Sequence, residues 1–466
     1  MSRVLPASAG PSGVPAQQPP GGPAGAPADA PWRRAARAPL VLWAGFLIVH
    51  AVLIALNVFG YGWPLGDVTV YRFWTDQATG ADYWVGIDAP WVYPILALVP
   101  MLAAQLGTQI ADAIPALSLA TVGPDAYVAG WLVTVTLLNA VAFCVLIGRG
   151  ARPGRAAAGW WWLLFLLALG PIALGRIDSV TVSLSVVAVT LIAARPRVAA
   201  LLLTIAAWIK VWPGAIVVAI VAVSRNRWRV LATAVGTSIA VVAVTLSFGS
   251  GANVFSFVTE QTGRGLQVEA PVTTAWMWLA WAGLADASVY YDDSILTWQV
   301  RGEGTGLVGS LMTPILLIAV AAITAVALVA LRRGADAAAL LPPLVLALLT
   351  GMIAFQKVGS PQFISWLAVP VILGLVTRAE RRGARFVVPA ALVLLIAGLT
   401  HVIYPYLYGY LLGVFPAMLV VLTLRNLLLF VVLGWAVVAI VSSAPRSGVP
   451  DAPGPRERPR GARALR

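Results

Sequence analysis

Residues 40–84 read LVLWAGFLIVHAVLIALNVFG, then YGWPL, then GDVTVYRFWTDQATGADYW. The first run is uncharged from end to end and long enough to cross a bilayer, which takes about 20 residues. The third is polar and aromatic. Val70, Phe73 and Trp74 would share one stripe of a helix, so 68–79 is expected to lie flat in the membrane interface. Asp67 is the first carboxylate after the span. An acid at such a surface has two readings, a cap for the helix that follows or a general base at the membrane edge.

Working outward, the remaining sequence repeats the apolar theme. Of the 466 residues 60% are hydrophobic and 11% charged, against about a quarter charged in soluble domains. Mean hydropathy is +0.88. The expected class is an all-α polytopic membrane protein. Apolar runs fall at 40–60, 126–147, 159–175, 179–194, 229–249, 307–331, 338–355, 361–377, 386–400, 406–423 and 427–443. The regions 91–121 and 198–223 are apolar but interrupted, the second by Trp212 and Pro213, where proline disturbs a helix. About 11 to 13 spans follow from these lengths. The organisation expected is a disordered cytoplasmic tail (1–38), one transmembrane domain (39–443) and a disordered arginine-rich tail (444–466). The Pro, Gly, Ala and Ser of residues 1–31 do not make a signal peptide.

The net charge of +13 is spread through short clusters, as the positive-inside rule expects of cytoplasmic loops. They are Arg33, Arg34 and Arg37; Arg149, Arg152 and Arg155; Arg195 and Arg197; Arg225, Arg227 and Arg229; Arg332 and Arg333; and Arg378, Arg381, Arg382 and Arg385. No basic groove with interleaved aromatics points to nucleic acid. Setting every cluster inside gives a consistent path if both interrupted regions return to their starting side. The polar islands then converge outside. That count also leaves the arginine-rich C-terminus outside, against the same rule. Cys144 is the sole cysteine, and two separated histidines leave no metal set. No P-loop, dinucleotide fingerprint or hydrolase elbow is present.

Several polar residues stand out. Asp76 shares the first outer loop with Asp67 and Tyr71. Arg176 and Asp178 interrupt an almost uncharged stretch, either as a structural ion pair or as functional groups. Arg264, Gln267 and Glu269 form an island; Arg264 suits a phosphate, and solvation of a loop is the plainer reading. Lys210 and Lys357 are the only lysines. Either would neutralise a lipid phosphate at the surface, or Lys210 would snorkel to the nearer interface. His401 ends a span before Tyr404 and Pro405, placed for acid–base or phosphate contacts. His50 reads as a packed core residue.

In this order the motifs resemble glycosyltransferase family 87, polyprenyl-phosphate-mannose-dependent mannosyltransferases of the GT-C superfamily. The family's acid with x-x-V-Y matches Asp67, Val70 and Tyr71. Its G-x-x-Y matches Gly80 and Tyr83, and its Y-P-P matches Tyr93 and Pro94, with Ile95 in place of the second proline. Its R-x-L-Q-I-E-S is similar to Arg264-Gly265-Leu266-Gln267-Val268-Glu269-Ala270. Ile209 to Pro213, and Ser360-Pro361-Gln362-Phe363, are similar to further recurrent patches. The resemblance spans most of 40–440.

The resemblance implies a GT-C-type bundle in the bacterial cytoplasmic membrane, with its site facing outward. The implied reaction moves mannose, with inversion, from polyprenyl-phosphate mannose to a lipid-linked or polysaccharide acceptor. Asp67 would be the base, and Arg264, Lys210, Lys357 and His401 would stabilise the departing phosphate. Tyr71, Asp76, Tyr93, Arg176, Asp178, Gln267, Glu269 and Gln362 would contact substrate. Neither metal nor cofactor is implied. A transporter or flippase of lipid-linked sugars is the competing expectation, with broken helices but no internal repeat.

Overall fold

The computed structural model describes residues 37–113, 125–148, 153–379 and 383–444. The expected tails lie almost wholly outside the described residues, as do Arg33, Arg34, Arg149, Arg152, Arg381 and Arg382. Among the described residues, nine helices are long and apolar enough to cross a membrane. The protein is a multi-pass membrane protein, and its described residues are mostly helical.

Helix α1 (Pro39–Phe59) buries one stripe, Leu42, Phe46, Val49, His50, Leu53 and Asn57, and leaves the rest to face lipid. Then comes α2 (Gly66–Gly80), the expected helix of the first loop. Its buried stripe is Val68, Tyr71, Thr75 and Ala78, and Phe73 of the expected apolar stripe is exposed. Trp74 of the apolar stripe packs edge-on against Trp91 with ring centroids 5.3 Å apart, and Tyr71 packs inward against Trp131 at 5.1 Å.

Helix α3 (Leu98–Ala113) does not cross. On one side of it, Trp91 N–H donates to Ser256 Oγ at 2.8 Å; on the other, Asp125 pairs with Arg72 of α2. Both flanks are thus tied to one end of the bundle. The crossing of α3 with α4 (Ala126–Ile147) runs over small residues. A Cβ at Gly130 would fall 2.2 Å from Ala104 O. Such close backbone approach is how helices gain packing energy in lipid, where apolar burial alone supplies little.

From there the chain shuttles. α5 (Pro153–Leu169) rises to a 3₁₀ turn at Gly170–Ala173 and α6 (Asp178–Leu191) descends. α7 (Pro196–Ile209) and α8 (Pro213–Val223) form a broken pair whose tip is Lys210. The region 198–223 therefore enters and returns. α9 (Arg227–Ser247) leads to a polar segment holding α10 (Ser256–Thr262) and α11 (Thr274–Ala282). Three short strands, β1 (Leu266–Gln267), β2 (Ser288–Asp292) and β3 (Thr297–Arg301), form an antiparallel sheet of order β1-β3-β2. This small sheet sits within a chain that otherwise matches the all-α expectation.

The last helices are α12 (Thr305–Arg332), α13 (Ala337–Ala354), α14 (Ala368–Ala379), α15 (Val387–His401), the short α16 (Tyr408–Leu412) and α17 (Pro416–Ser442). α13 is 78% buried and α9 only 11%, which puts the first at the centre and the second at the rim.

The start of the span expected at 406–423 is taken up by α16, and from Pro416 onward it and the span expected at 427–443 are one helix, α17. Arg425 and Asn426 do not break it because both are buried and partnered, Asn426 Nδ2 donating to Thr274 Oγ1 at 2.8 Å. α17 begins at the end that carries the sheet and finishes at the other, where Trp435 packs on Phe386. The described chain therefore starts and stops at the same end. Arg37, Arg155, Arg195, Arg225, Arg333, Arg378 and Arg385 sit at that end too, as the charge rule expects; the arginine-rich tail itself lies outside the described residues.

Candidate functional site

The opposite end gathers the polar residues, and the first of them is Asp67. It lies in the first turn of α2, where a negative charge suits the helix dipole, but it does not cap: Leu65 holds the cap position without a side-chain bond. Its Oδ2 instead meets Arg176 Nε at 3.2 Å. Arg176 is buried. It donates to Pro64 O and to Tyr404 Oη, both at 2.7 Å. Its donors reach four partners, a carboxylate, two main-chain carbonyls and a phenol, so this guanidinium fixes where Asp67 points.

Arg176 and Asp178 do not pair with each other. Residues two apart at a helix start face different ways, and Asp178 takes Lys210 at 3.1 Å. Trp366 Nε1 donates to the second Asp178 oxygen at 2.7 Å. Lys210 lies over the rings of Tyr93 and Phe363, at 5.0 and 5.6 Å. The break between α7 and α8 thus delivers an ammonium to a buried carboxylate, and it does not snorkel. Between the two ion pairs stands Tyr71, whose hydroxyl accepts from Ile177 N at 3.2 Å and whose ring meets Tyr93 at 6.4 Å.

Beside this cluster opens a cavity of about 380 Å³. Lys210, Arg264 and Lys357 contribute to its wall together with Tyr93 and Gln362, and no carboxylate lines it. Apolar side chains from α12, among them Met312 and Leu316, complete the wall. Burial pushes the Arg264 guanidinium down, and its Nε has no hydrogen-bond partner. Burial and then the charge of Arg264 likewise push Lys357 down. Both cations would regain stability from an anion in the cavity.

No family model, no curated protein and no solved structure matches this chain. The site has to be read on its own geometry.

The island at Gln267 and Glu269 is folded, not a solvated loop. Gln267 Oε1 accepts from Gly359 N at 3.2 Å and Ser360 Oγ at 3.3 Å, while its amide reaches Glu269 Oε2 at 3.3 Å. A Cβ at Gly359 would fall 2.1 Å from Ala270 N, so the strand and the Lys357 loop touch through backbone. Glu269 is 1% exposed and its Oε1 has no partner. Burial pushes its carboxyl up to about 7, against the pull of Arg425 and Arg176.

Two expected residues stand apart. Asp76 pairs with Arg72 at 3.3 Å and accepts from Gln105 at 3.1 Å on the exposed side of α2. It points away because nine positions on a helix turn the side chain to the opposite face from Asp67. His401 packs its ring against Gly170, where a Cβ would fall 2.3 Å from Nε2, and lines neither the cavity nor the ion pairs. The residues that sequence reasoning passed over are Trp366, Tyr404, Arg425 and Asn426. Arg425 offered a signal, as a lone charge inside an apolar run.

Proposed function

We propose that the protein is a membrane glycosyltransferase that moves a sugar, mannose by the motif resemblance, from a polyprenyl-phosphate carrier to a saccharide or glycolipid acceptor. One observation carries the reading: a carboxylate held by a buried arginine acts electrostatically on Tyr93 and Lys210, which line a cavity that has three cations, no acid and an apolar wall. The cations suit the phosphate and the apolar wall suits a prenyl chain.

In the displacement, the acceptor oxygen attacks the anomeric carbon and Asp67 takes the hydroxyl proton. The bond from that carbon to the phosphate oxygen breaks, and the electron pair leaves with the polyprenyl phosphate. Negative charge grows on the departing oxygen, where Arg264, Lys357 and Lys210 would strengthen their hold. Arg176 keeps Asp67 aimed. Loss of the base costs roughly a hundredfold or more.

Membranes containing the chain are expected to transfer labelled mannose from polyprenyl-phosphate mannose, and Asp67→Asn to abolish it at equal protein level. Equal rates in parent and variant would remove Asp67 from the chemistry. The broken pair α7–α8 with a charge at its tip also suits transport. Flipping of the lipid-linked sugar in vesicles without any transfer would favour that reading.

A further inference from the structure

A second and larger cavity adjoins the Asp67–Arg176 pair, and the reaction as described makes no use of it. It encloses about 910 Å³ between the segments 57–69 and 405–415. Tyr61 and Trp63 line it from the first segment, and Tyr406, Tyr408, Tyr410 and Phe415 from the second. No charged side chain lines it. The contrast with the cationic cavity is complete, so the two sites suit ligands of different chemistry.

The aromatic wall is held in place and left open. A Cβ at Gly62 would fall 2.7 Å from Pro405 O, so the two segments meet backbone to backbone. Trp63 is fixed at φ +54°, a left-handed conformation that bulky residues seldom adopt and that gathers at functional sites. Its side chain is nonetheless 84% exposed. Among these rings stand the phenols of Tyr61 and Tyr410, residues that are 82% and 53% exposed. A hydrocarbon chain laid over them would take water from the phenols without replacing its hydrogen bonds. A pyranose meets both demands: its C–H face lies on the electron-rich face of an aromatic ring, and its hydroxyls serve the phenols.

Gly66 and Thr69, which flank Asp67, belong to the wall of this cavity. Arg176 is bonded to Pro64 and Tyr404, at the inner edges of the same two segments. We propose that the aromatic cavity is the acceptor subsite and takes the neutral terminal pyranose of the acceptor, presenting its hydroxyl to Asp67. This rests on the transfer reaction proposed above, but saccharide binding is measurable without it.

The probes are the methyl glycosides of mannose, glucose, galactose and arabinose, offered to the detergent-solubilised full chain and read by saturation-transfer NMR. At least one is expected to bind, and Trp63→Ala and Tyr410→Ala to weaken it about tenfold, the size of one stacking contact. Trp63→Phe is expected to retain most of the binding, which separates loss of a ring from loss of fold. In the transfer assay the alanine variants should raise the acceptor KM and leave kcat within about twofold. No glycoside binding, or equal binding in parent and alanine variants, overturns the proposal. So does loss of a co-purified phospholipid in those variants with glycoside binding unaffected, which would make the rings a lipid seat. Glycoside binding that depends on Trp63, without transfer from any carrier sugar, overturns the reaction and leaves the saccharide site standing.

Discussion

Glu269 sits where two guanidinium groups pull its carboxyl down and burial pushes it up, and burial prevails, at about 7. Its folded value exceeds its unfolded one, so folding favours the protonated form. The stability this contributes is complete below the unfolded value and is lost as pH rises through about 7. The thermal midpoint in detergent is therefore expected to fall between about pH 5 and pH 8, and Glu269→Gln to flatten that slope. An unchanged slope in the variant would assign the titration to another group. At this scale the sequence was informative about chemistry and poor about partners. Asp67, Lys210 and Glu269 were visible as polar residues in apolar surroundings. That Asp67 would meet Arg176, and Lys210 meet Asp178, was not, because each pair joins separate elements.

At the scale of elements, the long apolar runs were legible because length and lack of charge alone identify a span. The broken pair α7–α8 was legible for the same kind of reason, a proline within an apolar stretch. Two things were not. The stripe of α2 named its apolar residues and left out Tyr71, the residue that turns inward. The run ending in α17 was divided at Arg425, whose burial beside Glu269 only tertiary packing supplies. The tip of α7–α8 makes a testable element. Asp178→Ala leaves the Lys210 ammonium without its carboxylate, at a cost of about 3–5 kcal/mol, whereas Asp178→Leu combined with Lys210→Met should recover most of it. Thermal midpoints of the two variants decide it: a double variant as unstable as the single one would mean that packing, not charge, holds the break.

For the whole molecule, both ends of the described chain lie with the arginine clusters, and the polar site lies at the other end. Single cysteines placed near Arg37 and near Ser443, in a Cys144→Ala background, should react with an impermeant maleimide from the same side of sealed vesicles. Labelling from opposite sides would restore the two-span reading of the C-terminal region. The GT-C resemblance bears on this scale as well, and the transfer assay is its test. The tip of α7–α8 also bears on how such a chain is made. Synthesis runs from the N-terminus, so Asp178 leaves the ribosome 32 residues before Lys210. When the hairpin enters the bilayer, its ammonium reaches a carboxylate that α6 has already placed, and the charge comes to rest paired.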